Sequence, residues 1–423
     1  MNLPIEDLSS KTQIKKLGKA IRSLQKTGHD IPNEYLLGLQ NYRTSFQPDI
    51  SEVFNILSEV SRRVRKDRVV TYRIKRIESI ISKIHRQPTM QLDTMGDIAG
   101  CRCILQTDAA IFKIIDGLEK KLQIRKRNDY LTSAKADGYR AYHLYVESPI
   151  NPTKQIEIQL RSQECHNWST LVEILDVLYD KKLKEGQKEP GLEEFLLLMS
   201  HREKLTYDQK CRILEIEAKY QIYASLSSLF SKNYLTIRNA WFILESKSDH
   251  TYFVISVDKT KTPTIQSYNN YEQAEESYFN IFKSSQESNV VLTHLDEVNF
   301  RKLCIAYSNY ILIKHSFLTE WQQFMLEQIE TLYTAKQRRK ANEVVNYFQR
   351  TLKEESNHIR TEIAAIRKIM DNRNVEHFFA EDTKLDEWLI EMEDNIAASQ
   401  STENELVKLL DKHGRSSISQ FFY

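Results

Sequence analysis

The chain has 423 residues, 41% hydrophobic and 28% charged, with 60 basic against 58 acidic side chains for a net charge of +2. At about 100–200 residues per domain this length holds two or three domains, and the composition excludes a bulk disordered chain. No apolar run reaches transmembrane length, the N-terminus MNLPIEDLSSK lacks an apolar leader, and Cys101, Cys103, Cys165, Cys211 and Cys304 show no C-x-x-C spacing. A membrane span, a secretory signal, a zinc finger and a disulfide framework are therefore not expected, and the expected location is the cytoplasm.

Residues 10–90 read as helical and strongly basic. Six basic residues and no acidic one lie between Leu8 and His29, and ten against two between Arg62 and Arg86. From about residue 97 the pattern changes. Cys101–Leu105 is a short apolar strand-like run, and Ile111, Ile114, Ile115, Leu118 and Leu122 recur at helical spacing. A further strand follows. Arg140–Glu147 and Gln155–Ser162 then read as a β-pair, in which period two puts Ile156, Ile158 and Leu160 on one face and Glu157, Gln159 and Arg161 on the other.

After Gln163 the pattern is helical, and Leu183–Phe195 (LKEGQKEPGLEEF) is the clearest linker-like punctuation. Residues 202–232 look helical. The runs WFILES and TYFVISV within 241–258 read as strands, followed by a helix at 272–284, a strand at 289–295 and a helix at 299–306. From Phe317 onward apolar residues recur every three or four positions, and there is no glycine between Gly191 and Gly414 and no proline after Pro263. A helical tail is expected. The divisions are 1–200, 201–233 as a helical connector, 234–315 as a small α/β module, and 316–423 as a helical extension, within an α+β fold class.

Four patterns fall within one stretch of about a hundred residues: Arg73-x-Lys75-x-x-x-Ser79-Ile80-x-x-Lys83; Asp97-Ile98-Ala99-Gly100-Cys101-Arg102; Asp129-Tyr130 with Lys135-x-x-Gly138-Tyr139-x-x-x-His143; and Glu157-x-Gln159-x-Arg161. Several fixed cations suit a triphosphate, and a carboxylate at a strand entry suits a metal ion. Each pattern alone is weak. Together and in this order they resemble the synthetase domain of the RelA/SpoT family. Ala134 stands where that family usually has proline and Ala141 where serine is common, and neither change removes a charged group.

The resemblance implies a nucleotidyltransferase-like domain, a mixed β-sheet flanked by helices, that moves the β,γ-pyrophosphate of ATP to a ribose 3′-hydroxyl. It implies that Arg73, Lys75, Ser79, Lys83 and Arg102 bind ATP. Asp97 and Glu157 would be the catalytic carboxylates and hold Mg²⁺, and Lys135, Tyr139, His143, Gln159 and Arg161 would line the acceptor site. His29-Asp30 has no partner histidines for a metal phosphohydrolase, so synthesis alone is expected.

Two flanks, Tyr72–Arg76 and His166-x-Trp168-x-Thr170-x-Val172-Glu173, are similar to those of the toxic small alarmone synthetases, some of which act on the 3′ CCA end of tRNA. The basic helix carrying Lys15, Lys16, Lys19 and Arg22 suits tracking of an RNA backbone, which favours tRNA over GDP, GTP or an adenine nucleotide as acceptor. Alarmone synthesis, of the (p)ppGpp or (p)ppApp type, is the alternative, and an inactive nucleic-acid-binding scaffold is the alternative of another class.

The pair Tyr307 and Tyr310, in Ala306-Tyr307-Ser308-Asn309-Tyr310, resembles that of fused toxin–antitoxin proteins of the CapRel type. There such a pair lets the C-terminal module cover the nucleotide site until a phage protein releases it. An autoinhibited toxin of phage defence is the corresponding expectation.

Overall fold

A computed structural model of the protein describes residues 10–183, 187–245, 247, 249–284, 289–371 and 379–415. In chain order its helices and strands begin with α1 (Lys11–Lys26), α2 (Asn33–Thr44), α3 (Gln47–Val64), β1 (Val69–Ile74), α4 (Ile77–Arg86), β2 (Ala99–Leu105) and α5 (Asp108–Glu119). Next come β3 (Ile124–Asp129), β4 (Tyr142–Glu147), β5 (Gln155–Ser162), α6 (Gln163–Tyr179), α7 (Pro190–Met199), α8 (Tyr207–Tyr220) and α9 (Ile222–Glu245). The remainder is β6 (Tyr252–Val257), β7 (Pro263–Tyr268), α10 (Tyr271–Ser284), β8 (Asn289–Leu295), α11 (Phe300–Ala306), α12 (Ser308–Ile311), α13 (Phe317–Thr334), α14 (Arg338–Asp371) and α15 (Phe379–Lys412).

Three expectations are corrected. The segment 69–74 is a strand, not a continuation of helix: VVTYRI is rich in β-branched side chains, which lose little on a pleated surface and crowd a helix. WFILES belongs largely to the end of α9, where Ile237 and Trp241 are buried at helical spacing. A short apolar run does not distinguish strand from helix by itself. The punctuation at 183–195 yields to α7 from Pro190, a residue suited to a first helical turn; its positions 184–186 lie outside the described residues.

The chain forms two compact units, Met1–Val172 with Ala240–Ile311, and Glu173–Asn239 with Leu312–Tyr423. In the first, eight strands make one mixed sheet in the order β3-β4-β5-β2-β1-β8-β6-β7. β2 and β5 run parallel, and the other neighbours run antiparallel. Thus the stretch from 240 to 311 contributes three strands to the sheet that begins in the first 172 residues. The junction is the pairing of Thr71 with Leu295 and Tyr72 with His294, closed by a buried ion pair between Arg68 and Asp296.

One face of this sheet is apolar. Tyr72 and Ile74, Cys101 and Cys103, Ile156, Ile158 and Leu160, and Leu144 and Val146 join a core completed by Val53, Leu57, Ile111, Ile114 and Tyr278 from the helices. Each fully buried large apolar side chain contributes about 1.5–3 kcal/mol. α1 closes an edge of this core with Ile14, Leu17 and Ile21, after Ser10 caps it by accepting the Gln13 N–H. Its lysines are thereby left on the outer side.

The second unit is helical in its described residues. Phe317, Trp321 and Phe324 of α13 stack in sequence, with ring centroids 5.7 and 5.1 Å apart. α8 begins with a capping box between Thr206 and Gln209. Three buried carboxyls lie among these helices: Glu217 takes bonds from Tyr347 and the Tyr223 N–H, Glu355 from Tyr223 and Gln322, and Glu362 from Ser231.

Candidate active site

The opposite face of the sheet carries polar residues, brought together by strand register. Arg73 stands beside Gly100, Gly100 beside Glu157, and Glu157 beside Tyr145. The next row is Thr71, Arg102, Gln159, His143 and Asn128. Because side chains alternate with period two, both rows project to one side. Four sequence patterns about thirty residues apart thus become neighbours.

Asp97, just before β2, accepts hydrogen bonds through one oxygen, Oδ2, from Lys75 Nζ at 2.9 Å and Lys83 Nζ at 2.8 Å. Burial opposes its charge, but the two ammonium groups outweigh burial and hold the carboxyl below its ordinary range. Burial in turn lowers Lys75 against the pull of Asp97. Lys83 and Ser79 lie one turn apart on α4, whose buried side is Ile77, Ile80, Ile81 and Ile84. The other oxygen of Asp97, Oδ1, is buried without a hydrogen-bond partner.

Glu157 is held from three sides. Tyr145 donates to Oε1 at 2.8 Å, Gln159 Nε2 donates to Oε2 at 2.7 Å, and His143 Nδ1 lies 3.1 Å from Oε1. Burial would raise its pKa, yet the bonds from His143, Gln159 and Tyr145 prevail and keep the group a carboxylate. The ring continues outward: Tyr139 Oη is 2.7 Å from His143 Nε2, and Arg161 donates to Tyr139 Oη at 2.9 Å and to Gln159 Oε1 at 3.1 Å.

The loop before β4 is shaped locally. Gly138 adopts a φ of 93°, a region open to glycine and rarely to other residues, and Lys135 N–H donates to the Tyr139 carbonyl at 3.1 Å. The turn sets Lys135 Nζ 4.6 and 4.8 Å from the ring centres of Tyr130 and Tyr139. Lys135 itself is exposed.

Arg102 points along the polar face and donates to the Ala306 carbonyl at 3.3 Å, while His166 bonds the Ile305 carbonyl at 2.8 Å. The C-terminal end of α11 therefore lies against this face. Tyr307 and Tyr310 are both 1% exposed; Tyr307 pairs with Thr293, and the Tyr310 ring lies 5.9 Å from the Arg76 guanidinium carbon.

The α1 residues form no part of this ring. Lys15, Lys16 and Lys19 are exposed, whereas Arg22 turns inward and donates to the carbonyls of Ile84 and Met90. Among the described residues no cluster of three or more His, Cys, Asp or Glu forms a metal centre. Mg²⁺ is commonly held by one or two carboxylates plus substrate phosphates, and the unpartnered Asp97 Oδ1 fits that kind of site. Among the described residues no helix is long and apolar enough to cross a membrane.

Tyr145, which fixes Glu157, was not singled out from sequence. Its position two residues beyond His143 on a strand is the signal that places it on the same face.

Residues 72–183 match the family model described as a region found in RelA / SpoT proteins. The chain is 33% identical over 128 residues to the GTP pyrophosphokinase YjbM of Bacillus subtilis, covering 28% of this chain and 61% of that protein. It is 33% identical over 111 residues to the GTP pyrophosphokinase YwaC of the same organism, covering 23% and 53% respectively. Among solved structures, small alarmone synthetase 1 of Bacillus subtilis bound to its product pppGpp aligns over 43% of this chain and 98% of its own, with 23% identity and a TM-score of 0.34. The chain spans about half to three fifths of the length of these two curated relatives, and the similarity to them lies within under a third of this chain.

Proposed function

We propose that the chain is an ATP-dependent pyrophosphokinase. The observation that carries this reading is the single polar sheet face on which Arg73, Arg102, Glu157, Gln159 and His143 stand in adjacent rows. The Asp97–Lys75–Lys83 group lies at the mouth of β2.

Arg73, Lys75, Ser79, Lys83 and Arg102 bind the phosphates of ATP. The acceptor's 3′ oxygen attacks the β-phosphorus, the bond from that phosphorus to the α,β-bridging oxygen breaks, and AMP leaves. Glu157, kept ionised by its three partners, faces the attacking hydroxyl and draws on its proton. Asp97 and Glu157 are the residues that would hold Mg²⁺, and the ion would offset charge on the phosphoryl oxygens. Lys135 meets acceptor phosphate, Tyr139 stacks on the acceptor base, and His143, Gln159 and Arg161 hold that ring in place.

The acceptor we propose is the 3′ CCA end of tRNA, with inhibition of translation as the outcome. Its support is the outward row Lys15, Lys16 and Lys19 on α1, since each phosphate neutralised adds about 0.7–0.9 to the salt slope of binding. A second reading, alarmone synthesis on a guanine nucleotide, is favoured by the similarity to two GTP pyrophosphokinases of Bacillus subtilis. ATP labelled at the γ-phosphate, offered to intact tRNA, to tRNA lacking CCA, and to GDP and GTP, separates them. Label on intact tRNA alone supports the first; label on GDP or GTP alone assigns alarmone synthesis.

In the same reading Tyr307 and Tyr310 keep the enzyme inhibited. The contact of the α11 end with Arg102 and the stacking of Tyr310 near Arg76 support occlusion of the ATP side of the face. A phage protein binding the C-terminal module is the proposed trigger, in keeping with a toxin of phage defence.

A further inference from the structure

The turn from β1 into α4 carries Lys75 and leads to Ser79 and Lys83, and it is braced by residues about two hundred positions away. Arg43 of α2, fully buried, donates through Nε to the Lys75 carbonyl at 2.9 Å and also reaches the Ile74 carbonyl at 3.5 Å. Its charge is balanced by Glu275 of α10. Gln40 donates to Glu275 at 2.8 Å and accepts from Arg43 at 2.9 Å, so the three side chains fix one another.

One turn beyond Glu275, Tyr278 places its hydroxyl 3.0 Å from the N–H of Ile77, the first residue of α4. The first N–H groups of a helix have no partner within it, and Arg76 at the N-cap supplies no side-chain cap. Tyr278 satisfies one of those donors from another helix. Its ring lies under the Arg43 guanidinium, 4.5 Å from the guanidinium carbon to the ring centre. On the other side, Lys75 N–H donates to the Ile98 carbonyl at 2.7 Å, next to Asp97.

A buried ion pair is poor value for stability alone, because an apolar pair of similar volume often serves as well or better. What this one adds is geometry. It points a guanidinium at the carbonyl of Lys75, whose side chain is one of the site lysines. We propose that Arg43, Glu275 and Tyr278 are positioning residues for the donor-nucleotide site, so that α10 of the segment 240–311 completes that site by fixing the β1–α4 turn. The inference rests on the reading of Arg73, Lys75 and Lys83 as the ATP cations. It makes the C-terminal segment part of the working enzyme as well as its proposed inhibitor.

The test uses the full chain and α,β-methylene ATP, whose bridging carbon blocks transfer, with affinity measured by calorimetry. Arg73→Ala is the reference for the ATP reading, and Tyr278→Phe and Glu275→Gln probe the brace. Loss of one buried hydrogen bond to a site element corresponds to about tenfold in affinity. Tyr278→Phe is expected to weaken the analogue by about that factor, raising KM for ATP while KM for the acceptor stays unchanged. If Arg73→Ala weakens binding but Tyr278→Phe stays within about twofold of wild type and only lowers the melting midpoint, the brace is structural and the inference is overturned. If Arg73→Ala leaves affinity unchanged, the ATP reading itself fails and the inference with it. Should Glu275→Gln not fold, Tyr278→Phe decides alone, since it removes only a hydroxyl.

Discussion

Gly100 stands directly opposite Glu157 across the parallel pairing of β2 and β5, and a Cβ at position 100 would lie 3.8 Å from Glu157 Oε2. Its nearest neighbour would be the Glu157 carbonyl at 3.5 Å, an ordinary contact. The fold therefore tolerates a methyl group there, while the floor between Arg73 and Glu157 does not stay open. A glycine inside a strand often marks such a close approach by a ligand. Gly100→Ala is expected to keep the thermal midpoint within about 3 °C, a shift equivalent to less than about 1 kcal/mol, and to lower turnover by about tenfold or more. Circular dichroism melting and a rate assay check both halves; an unchanged rate would place the nucleotide elsewhere.

Asp97 unites two lysines and keeps one oxygen without a partner. Asp97→Asn retains a carbonyl that accepts from one lysine but removes the negative charge. The expected result is a rate loss of about 10²–10³-fold, typical of removing one preorganised electrostatic group, and a higher Mg²⁺ concentration for half-maximal rate. Titrating Mg²⁺ against rate for both proteins tests this; an unchanged Mg²⁺ midpoint would remove Asp97 from the metal site.

Glu217 in the helical unit is 1% exposed, and burial pushes its carboxyl up from 4.5 to about 7. In the folded state it stays neutral where the unfolded chain would ionise it. Its contribution is therefore complete below about pH 4.5, falls as pH rises toward 7 and levels beyond. The total is on the order of 3 kcal/mol. Burial moves Glu362 up to about 7 and Glu355 in the same direction. Denaturant unfolding of this unit is expected to need less urea at pH 8 than at pH 5. Glu217→Gln, which keeps an acceptor for Tyr347, raises the midpoint at pH 8 and flattens the slope. A Gln variant less stable than wild type at pH 8 would contradict the sign.

Tyr307 follows Ala306, whose carbonyl accepts from Arg102, and the Tyr310 ring lies 5.9 Å from the Arg76 guanidinium carbon. Removing both rings, as Tyr307→Ala with Tyr310→Ala, is expected to raise basal label transfer and toxicity without any trigger. Normal growth of cells expressing the folded double variant would count against inhibition by this pair.

Much of the site was legible in sequence because its residues sit at short, fixed spacings. Period two in Gln155–Ser162 separates Glu157, Gln159 and Arg161 from the apolar face, and the strand forms over those residues. The strand at 69–74 was hidden by the dense charge on both sides of it, although its β-branched run marks it. Tyr145 needed only the same period-two reasoning. The brace from Arg43 and Glu275 had no local signal, since it joins residues 232 positions apart through a buried ion pair. Nor does any spacing reveal that β8 adds to β1, which makes one sheet of segments divided in sequence by a helical unit.

The most direct measurement follows the fate of ATP. With γ-labelled ATP and the acceptor that takes label, AMP should form in amounts equal to the label transferred, and Glu157→Gln and Arg73→Ala should each abolish both products together. Release of ADP and free phosphate in place of AMP, or label transfer that survives both substitutions, would contradict pyrophosphate transfer on this face.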